Sequence, residues 1–274
     1  MFTKTLIAVG DSFTDPKMYS FIDKVWPDYI SEKNINLGKS GSSNQYIFNT
    51  AIDAIEKSED KDLLVIACWS DSHRFNLFDI TTGWLDSPEF IWKKCEQNKN
   101  NEDVIHGAAN KLARVSMYSK MINEQETDLT NAYFKVVDSS LRCMYLLEEY
   151  CTMKGIEYYH FSGLDPIADK TILEAMTSHP NHTYSNTDVL EEGINKVKTE
   201  SIWYDKLNKS KKFLGFDWNS DSFIRANNWT ISKDDGHPNA KGQEMIANVI
   251  HKFITTGKRE EINLDGEGFK YIYD

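Results

Sequence analysis

The sequence is short of proline, with 6 in 274 residues, and of cysteine, with 4. Cys68, Cys95, Cys143 and Cys151 show neither CxxC spacing nor a histidine pair to complete a zinc site, which excludes a zinc ribbon or finger. Reduced, mostly buried thiols are the expectation, as suits a cytoplasmic site of synthesis. No apolar run approaches the roughly 18 residues that span a bilayer, so no membrane span is expected. The first ten residues lack a basic segment and a small-residue cleavage site, and no signal peptide is read in them. Basic residues are in deficit as well. The 31 Lys and Arg stand against 42 Asp and Glu, a formal charge of -11, and no basic stripe is present to follow a phosphate backbone. Nucleic acid is thereby disfavoured as a partner, whereas a neutral acylated sugar would not be repelled.

What is present is enough apolar material for a sizeable core, 40% hydrophobic and 12% aromatic residues, with no internal repeat and no low-complexity linker. Thr5 to Val9 reads as a buried strand feeding the turn Gly10-Asp11-Ser12. Residues 17–32 carry Met18, Phe21, Ile22, Val25, Trp26 and Ile30 at helical spacing interrupted by Pro27, which predicts a broken helix or two short ones. Ile35 to Leu37 is a short strand candidate, Asn44 to Lys57 an amphipathic helix, and Asp62 to Trp69 a central strand apolar throughout. A helix near Ala132 to Met153, stopped by Gly155, precedes a strand at Glu157 to Phe161. Tyr145, Leu146, Leu147 and Met153 are assigned to the buried face of that helix. A final helix is expected from Asn239 to Phe253. Strand, helix, strand in this order indicates an α/β fold with helices on both faces of a parallel sheet. One domain is expected over 1–257, with irregular insertions at about 71–128 and 164–232 at the carboxyl edge of the strands, where ligands bind in such sheets, and a charged tail at 258–274.

Two segments carry chemistry. Gly10-Asp11-Ser12 places a hydroxyl at the end of the first strand, though a serine there also serves as an ordinary helix cap. Asp234-Asp235-Gly236-His237-Pro238-Asn239 precedes the last helix. An Asp three residues before a His can set its carboxylate on Nδ1, fixing the tautomer and leaving Nε2 to take a proton from a serine. The same residues also suit a plain turn that starts a helix.

Gly10-Asp11-Ser12-Phe13 resembles the first block of the SGNH (GDSL-like) hydrolases, and Asp234-x-x-His237-Pro238-Asn239 resembles their last. Asn36-Leu37-Gly38-Lys39-Ser40-Gly41 is similar to their second block. The resemblance implies Ser12 as nucleophile, His237 as general base and Asp234 as the group orienting it. It implies the backbone N–H groups of Ser12 and Gly41 as oxyanion donors, and no metal or organic cofactor. It also implies a three-layer α/β/α, flavodoxin-like sheet of order 2-1-3-4-5. Where the family has Gly-x-Asn-Asp, this chain has Cys68-Trp69-Ser70-Asp71, so Ser70 falls at the position of the third oxyanion donor. Loss of such a donor costs on the order of 10²–10³ in rate unless Ser70, Asn44 or a neighbour substitutes. The run Trp69-Ser70 followed by Arg74-Phe75 resembles SGNH-type proteins encoded by phages, so a virion-associated location stands beside a cytoplasmic one.

Asn44, Trp69, Asp71 and Arg74 are candidates for lining the substrate site. Arg74 suits a substrate carboxylate or a structural pair with Asp71 or Asp79. The aromatics of the two insertions suit loop packing, with one or two left for the pocket. Asp11, Asp15 and Asp71 match no metal-ligand spacing. The reaction implied by the resemblance is hydrolysis of an ester, foremost an O-acetyl or other short acyl group on a carbohydrate. O-acyl transfer on the same triad and a catalytically weak glycan-binding scaffold are the alternatives.

Overall fold

The computed structural model describes residues 2–19, 21–72, 74, 129–167, 186–233 and 235–258, with the backbone of 77–79 and 83–85. Strands β1 (Thr5–Val9), β2 (Asn34–Asn36), β3 (Leu63–Trp69) and β6 (Glu157–Ser162) form one parallel sheet in the spatial order β2-β1-β3-β6. A separate antiparallel pair, β4 (Leu77–Asp79) and β5 (Gly83–Leu85), follows β3. The helices are α1 (Trp26–Ile30), α2 (Asn44–Lys57), α3 (Leu129–Lys154), α4 (Asn186–Glu200), α5 (Ile202–Lys209), α6 (Ser220–Ala226) and α7 (Ala240–Thr256).

The apolar runs of β1 and β3 become central strands because both of their faces are covered, which only a three-layer arrangement provides. Register pairs Ile7 with Val65 and Ala8 with Ile66. The two-residue side-chain period then sends Ile7, Val9, Val65 and Ala67 toward α2 and α3, and Leu6, Ala8, Leu64, Ile66 and Cys68 toward α1 and α7. From α7, Ile246, Ile250 and Phe253 are buried in the second layer, each worth about 1.5–3 kcal/mol of transfer from water. This helix starts at an Asn239 cap and stops at Gly257, whose φ of 66° is left-handed. Among the described residues no helix is long and apolar enough to cross a membrane.

Several expectations are corrected. Among the described residues no fifth strand joins the parallel sheet. At the β6 edge, two isolated parallel bridges, Phe213 to His160 and Asn219 to Ser162, stand where it would lie. Gly215, at φ 122°, breaks the extended backbone between them. The stretch 164–232, expected to be irregular, contains α4, α5 and α6. Their polar faces diluted the helical period, although Leu190, Ile194 and Val197 pack on the core. Pro27 does not interrupt a helix; it lies in the first turn of α1, where its missing N–H costs nothing, after a separate 3₁₀ turn at Pro16–Tyr19. On α3 the buried stripe is Tyr133, Val137, Leu141, Met144, Leu147 and Cys151. Leu146 and Met153 are instead 40% and 78% exposed. Cys68 and Cys151 are buried, and burial pushes the Cys151 thiol up to about 12. Cys95 and the tail beyond 258 lie outside the described residues.

Candidate active site

The site is built at the carboxyl edge of β1 and β3. After β1 the chain reverses at once, the N–H groups of Thr14 and Asp15 both donating to the Asp11 carbonyl at 3.0 Å. Asp11 seals the turn with its own side chain, Oδ1 accepting the Phe13 N–H at 3.0 Å. Ser12 is thereby held at the sheet edge, 6% exposed. Gly10 is required by packing, since a Cβ there would stand 2.2 Å from Thr14 Oγ1.

The loop after β2 is fastened to this turn. Lys39 N–H donates to the Gly10 carbonyl at 3.0 Å, and Asp15 Oδ2 accepts both the N–H and the hydroxyl of Ser40 at 2.9 and 2.8 Å. Gly38 abuts the turn's backbone so closely that a Cβ would lie 2.5 Å from Thr14 C. Gly41 then takes a left-handed φ of 77°, which glycine tolerates without steric penalty. Among the described residues, no hydrogen bond engages the N–H of Ser12 or of Gly41.

The loop after β3 departs from expectation. The Ser70 hydroxyl donates to Asp11 Oδ2 at 2.8 Å, and its N–H donates to Asn44 Oδ1 at 2.8 Å. Both donors of Ser70 are therefore spent, and it holds the loop instead of facing an oxyanion. Asn44 is 2% exposed, returns a bond from Nδ2 to the Ser70 carbonyl at 2.9 Å and also donates to the Ser140 hydroxyl. It is a clamp on the Ser70 backbone. Trp69 is likewise buried, its indole N–H donating to His160 Nδ1 at 2.8 Å. Because indole can only donate, His160 carries its proton on Nε2, 3.0 Å from Glu148 Oε2. Desolvation by burial opposes ionisation of the Glu148 carboxyl, but its contacts with His160, Ser210 and the Lys212 charge together outweigh that and hold it below its ordinary value. Arg74 takes the structural pair, Nη2 lying 3.2 Å from Asp71, and adds a partner that sequence reading missed, Asp11 Oδ2 at 3.1 Å from Nη1. The Asp79 side chain lies outside the described residues.

His237 arrives from the other end of the chain. Its loop folds back on residues 229–232, with Ile231 N–H donating to the His237 carbonyl at 2.8 Å and Asn239 N–H to the Trp229 carbonyl at 2.8 Å. On α7, Gln243 is fully buried, donates from Nε2 to the Phe13 carbonyl at 3.2 Å and accepts the Trp26 N–H at 2.9 Å. These bonds bring the imidazole against Phe13, ring centroids 5.7 Å apart. No direct hydrogen bond joins Ser12 Oγ to His237.

Asp234 lies outside the described residues. The carboxylate observed on His237 is that of Asp235, whose Oδ1 accepts the His237 N–H at 3.1 Å and lies 2.6 Å from Nδ1. Burial opposes its ionised form, but these bonds and the imidazole outweigh it and hold the Asp235 carboxyl below its ordinary value. A carboxylate two residues before a histidine can close this ring, so the signal was in the sequence beside the one read. Behind the loop, Arg225 Nε is bonded to both oxygens of Asp221, at 2.8 and 2.9 Å. Its guanidinium fills the space at Gly236, where a Cβ would stand 1.8 Å from Nη2. Burial pushes the Asp221 carboxyl up despite that partner. Among the described residues no group of three potential ligands could hold a metal ion.

No family model matches the chain, and no curated protein does. Among solved structures it is similar to a member of the lipolytic protein G-D-S-L family from Veillonella parvula, at 15% identity and TM-score 0.39, over 92% of this chain and 96% of that one. It is also similar to an alpha/beta hydrolase enzyme from the metagenome of Lake Arreo, Spain, at 12% identity and TM-score 0.36, over 94% and 98%. A third is an acetylxylan esterase from Geobacillus stearothermophilus, at 12% identity and TM-score 0.32, over 96% and 95%. At such identities and scores these likenesses assign no residue, activity or substrate to this chain.

Proposed function

We propose that the chain is a serine esterase acting on short acyl esters, foremost an O-acetyl group on a carbohydrate. The observation that carries this reading is the His237 imidazole, with Asp235 on its Nδ1, seated against Phe13, the residue after Ser12. In the proposed reaction Nε2 of His237 takes the Ser12 proton as Oγ attacks the acyl carbonyl. The N–H groups of Ser12 and Gly41 receive the oxyanion, and the imidazolium returns the proton to the leaving alcohol. Water, activated by the same imidazole, then clears the acyl-enzyme. The bond to Nδ1 supports Asp235 as the orienting carboxylate; Asp234 is the one the family resemblance implies.

One observation favours a second reading, a glycan-binding scaffold of low activity. Ser70 spends both of its donors within the protein, so the third oxyanion donor is missing from that position. Hydrolysis of p-nitrophenyl acetate and longer esters by wild type and Ser12→Ala, with fluorophosphonate labelling located by mass spectrometry, separates the two. Turnover and labelling at Ser12, both lost in the variant, are expected. Equal behaviour of the two proteins would sink the esterase reading.

A further inference from the structure

We propose that Arg74 is a positioning residue that neutralises Asp11 beneath the nucleophile turn, so that negative charge can develop at Ser12. The inference rests on the esterase reading and gives Arg74 a part in it beyond pairing two loops. Asp11 immediately precedes Ser12 and is fully buried. Its Oδ1 is occupied by the Phe13 N–H, and its Oδ2 receives the Ser70 hydroxyl and the Arg74 guanidinium. Two of these three partners are neutral dipoles. Arg74 brings the only full positive charge among the contacts described on Asp11, and its side chain is itself only 12% exposed.

The electrostatic consequence follows from position. An ionised carboxylate next to Ser12 raises the energy of any second negative charge formed there, the alkoxide and the tetrahedral oxyanion alike. In a protein interior with an effective dielectric of about 20, one uncompensated unit charge nearby changes such a rate by about 10²-fold. Asp11 cannot simply be dispensed with, because its side chain ties the turn to the loop after β3. The arrangement retains the carboxylate for its geometry and cancels its field with Arg74. Asp71, 3.2 Å from Nη2, fixes the guanidinium from its other side and leaves the three-residue cluster with a net charge of one negative unit. Arg74→Met raises that to two. Asp11→Asn in the same chain returns it to one; its amide oxygen accepts from Phe13 and its Nδ2 donates to the Ser70 hydroxyl, which reverses its role to acceptor.

The test measures acylation of Ser12 by a fluorophosphonate, together with kcat and KM on p-nitrophenyl acetate, in wild type, Arg74→Met, Arg74→Lys, Asp11→Asn and the double variant Asp11→Asn/Arg74→Met. For Arg74→Met we expect acylation and kcat to fall about 10²-fold with KM little changed, the size expected for one uncompensated charge nearby. The double variant recovers at least about tenfold of that loss, and Arg74→Lys, which keeps the charge, retains most of the rate. Because removing the unpaired Asp11 charge would also relieve a merely structural defect, urea midpoints are read on the same variants, and the loss of acylation and its rescue must both appear in fully folded protein. Should Arg74→Met prove unfolded by circular dichroism, Arg74→Lys and the charge-balanced double variant still decide, since both must then be folded and labelled. Equal rates in Arg74→Met and wild type, a double variant as slow as the single, or a loss confined to KM each overturns the inference while wild-type labelling leaves the esterase reading intact. Absence of labelling at Ser12 in wild type overturns both.

Discussion

Asp235 Oδ1 lies 2.6 Å from His237 Nδ1 and also accepts the His237 backbone N–H at 3.1 Å. One carboxylate thus fixes both the ring and the main chain of the proposed base. Asp235→Asn is expected to lower kcat about 10³-fold by admitting the wrong tautomer, with Asp234→Asn within about tenfold of wild type. Steady-state kinetics on p-nitrophenyl acetate check this, and the reverse order of effects would return the orienting role to Asp234.

Removing the Asn44 side chain should loosen the loop after β3. Asn44→Ala leaves the buried N–H and carbonyl of Ser70 without their partner, a loss of about 2–3 kcal/mol. Urea unfolding measures it, and slower labelling of Ser12 should accompany it. A change within about 0.5 kcal/mol, as for a surface site, would contradict the clamp.

Gly38→Ala brings a methyl group against the backbone of the nucleophile turn, 2.5 Å from Thr14 C and 2.7 Å from Asp15 N. Neither backbone atom can move without shifting Ser12. We expect destabilisation of about 1–3 kcal/mol and a marked fall in turnover. Thermal melts and esterase assays on the same preparation would show both; wild-type values for both would mean that the two loops are not locked together as described.

The Glu148 carboxyl is depressed below its ordinary value of 4.5. Its ionised form is favoured in the folded state, so its contribution to stability is present above that value. The contribution is lost as pH falls through the lower folded value. Glu148→Gln should therefore be less stable than wild type at pH 7, with the difference shrinking below pH 4.5. Denaturant midpoints of the pair across this range test the sign; a gap that widened on acidification would refute it.

The sheet was legible wherever hydrophobicity was continuous. In β1 and β3 every residue from Leu6 to Val9 and from Leu63 to Trp69 is buried, and no other element type suits so short an apolar run at that place. Helices α4 to α6 were missed because only one narrow stripe of each meets the core. At the site, the turn at Ser12 and the His237 loop could be read from residue types that need little tertiary context. The partners of Asp11 could not, because Ser70 and Arg74 reach it from a loop whose path depends on the sheet register. Ser70 looked like a substitute oxyanion donor for the same reason: its place in the chain was visible, but the direction of its hydroxyl was not.

The bond from Gln243 to the Phe13 carbonyl joins positions 230 residues apart. Contacts of such separation carry a large loop-closure cost and slow folding. During synthesis the strands β1, β2, β3 and β6 all emerge before α7, so the sheet edge can assemble around Ser12 while His237 is still undocked. On that order of events the proposed nucleophile would gain its base only on docking of the final helix. Chemical competence would thereby report that the whole fold has closed, and a fluorophosphonate would label the finished molecule in preference to its folding intermediates.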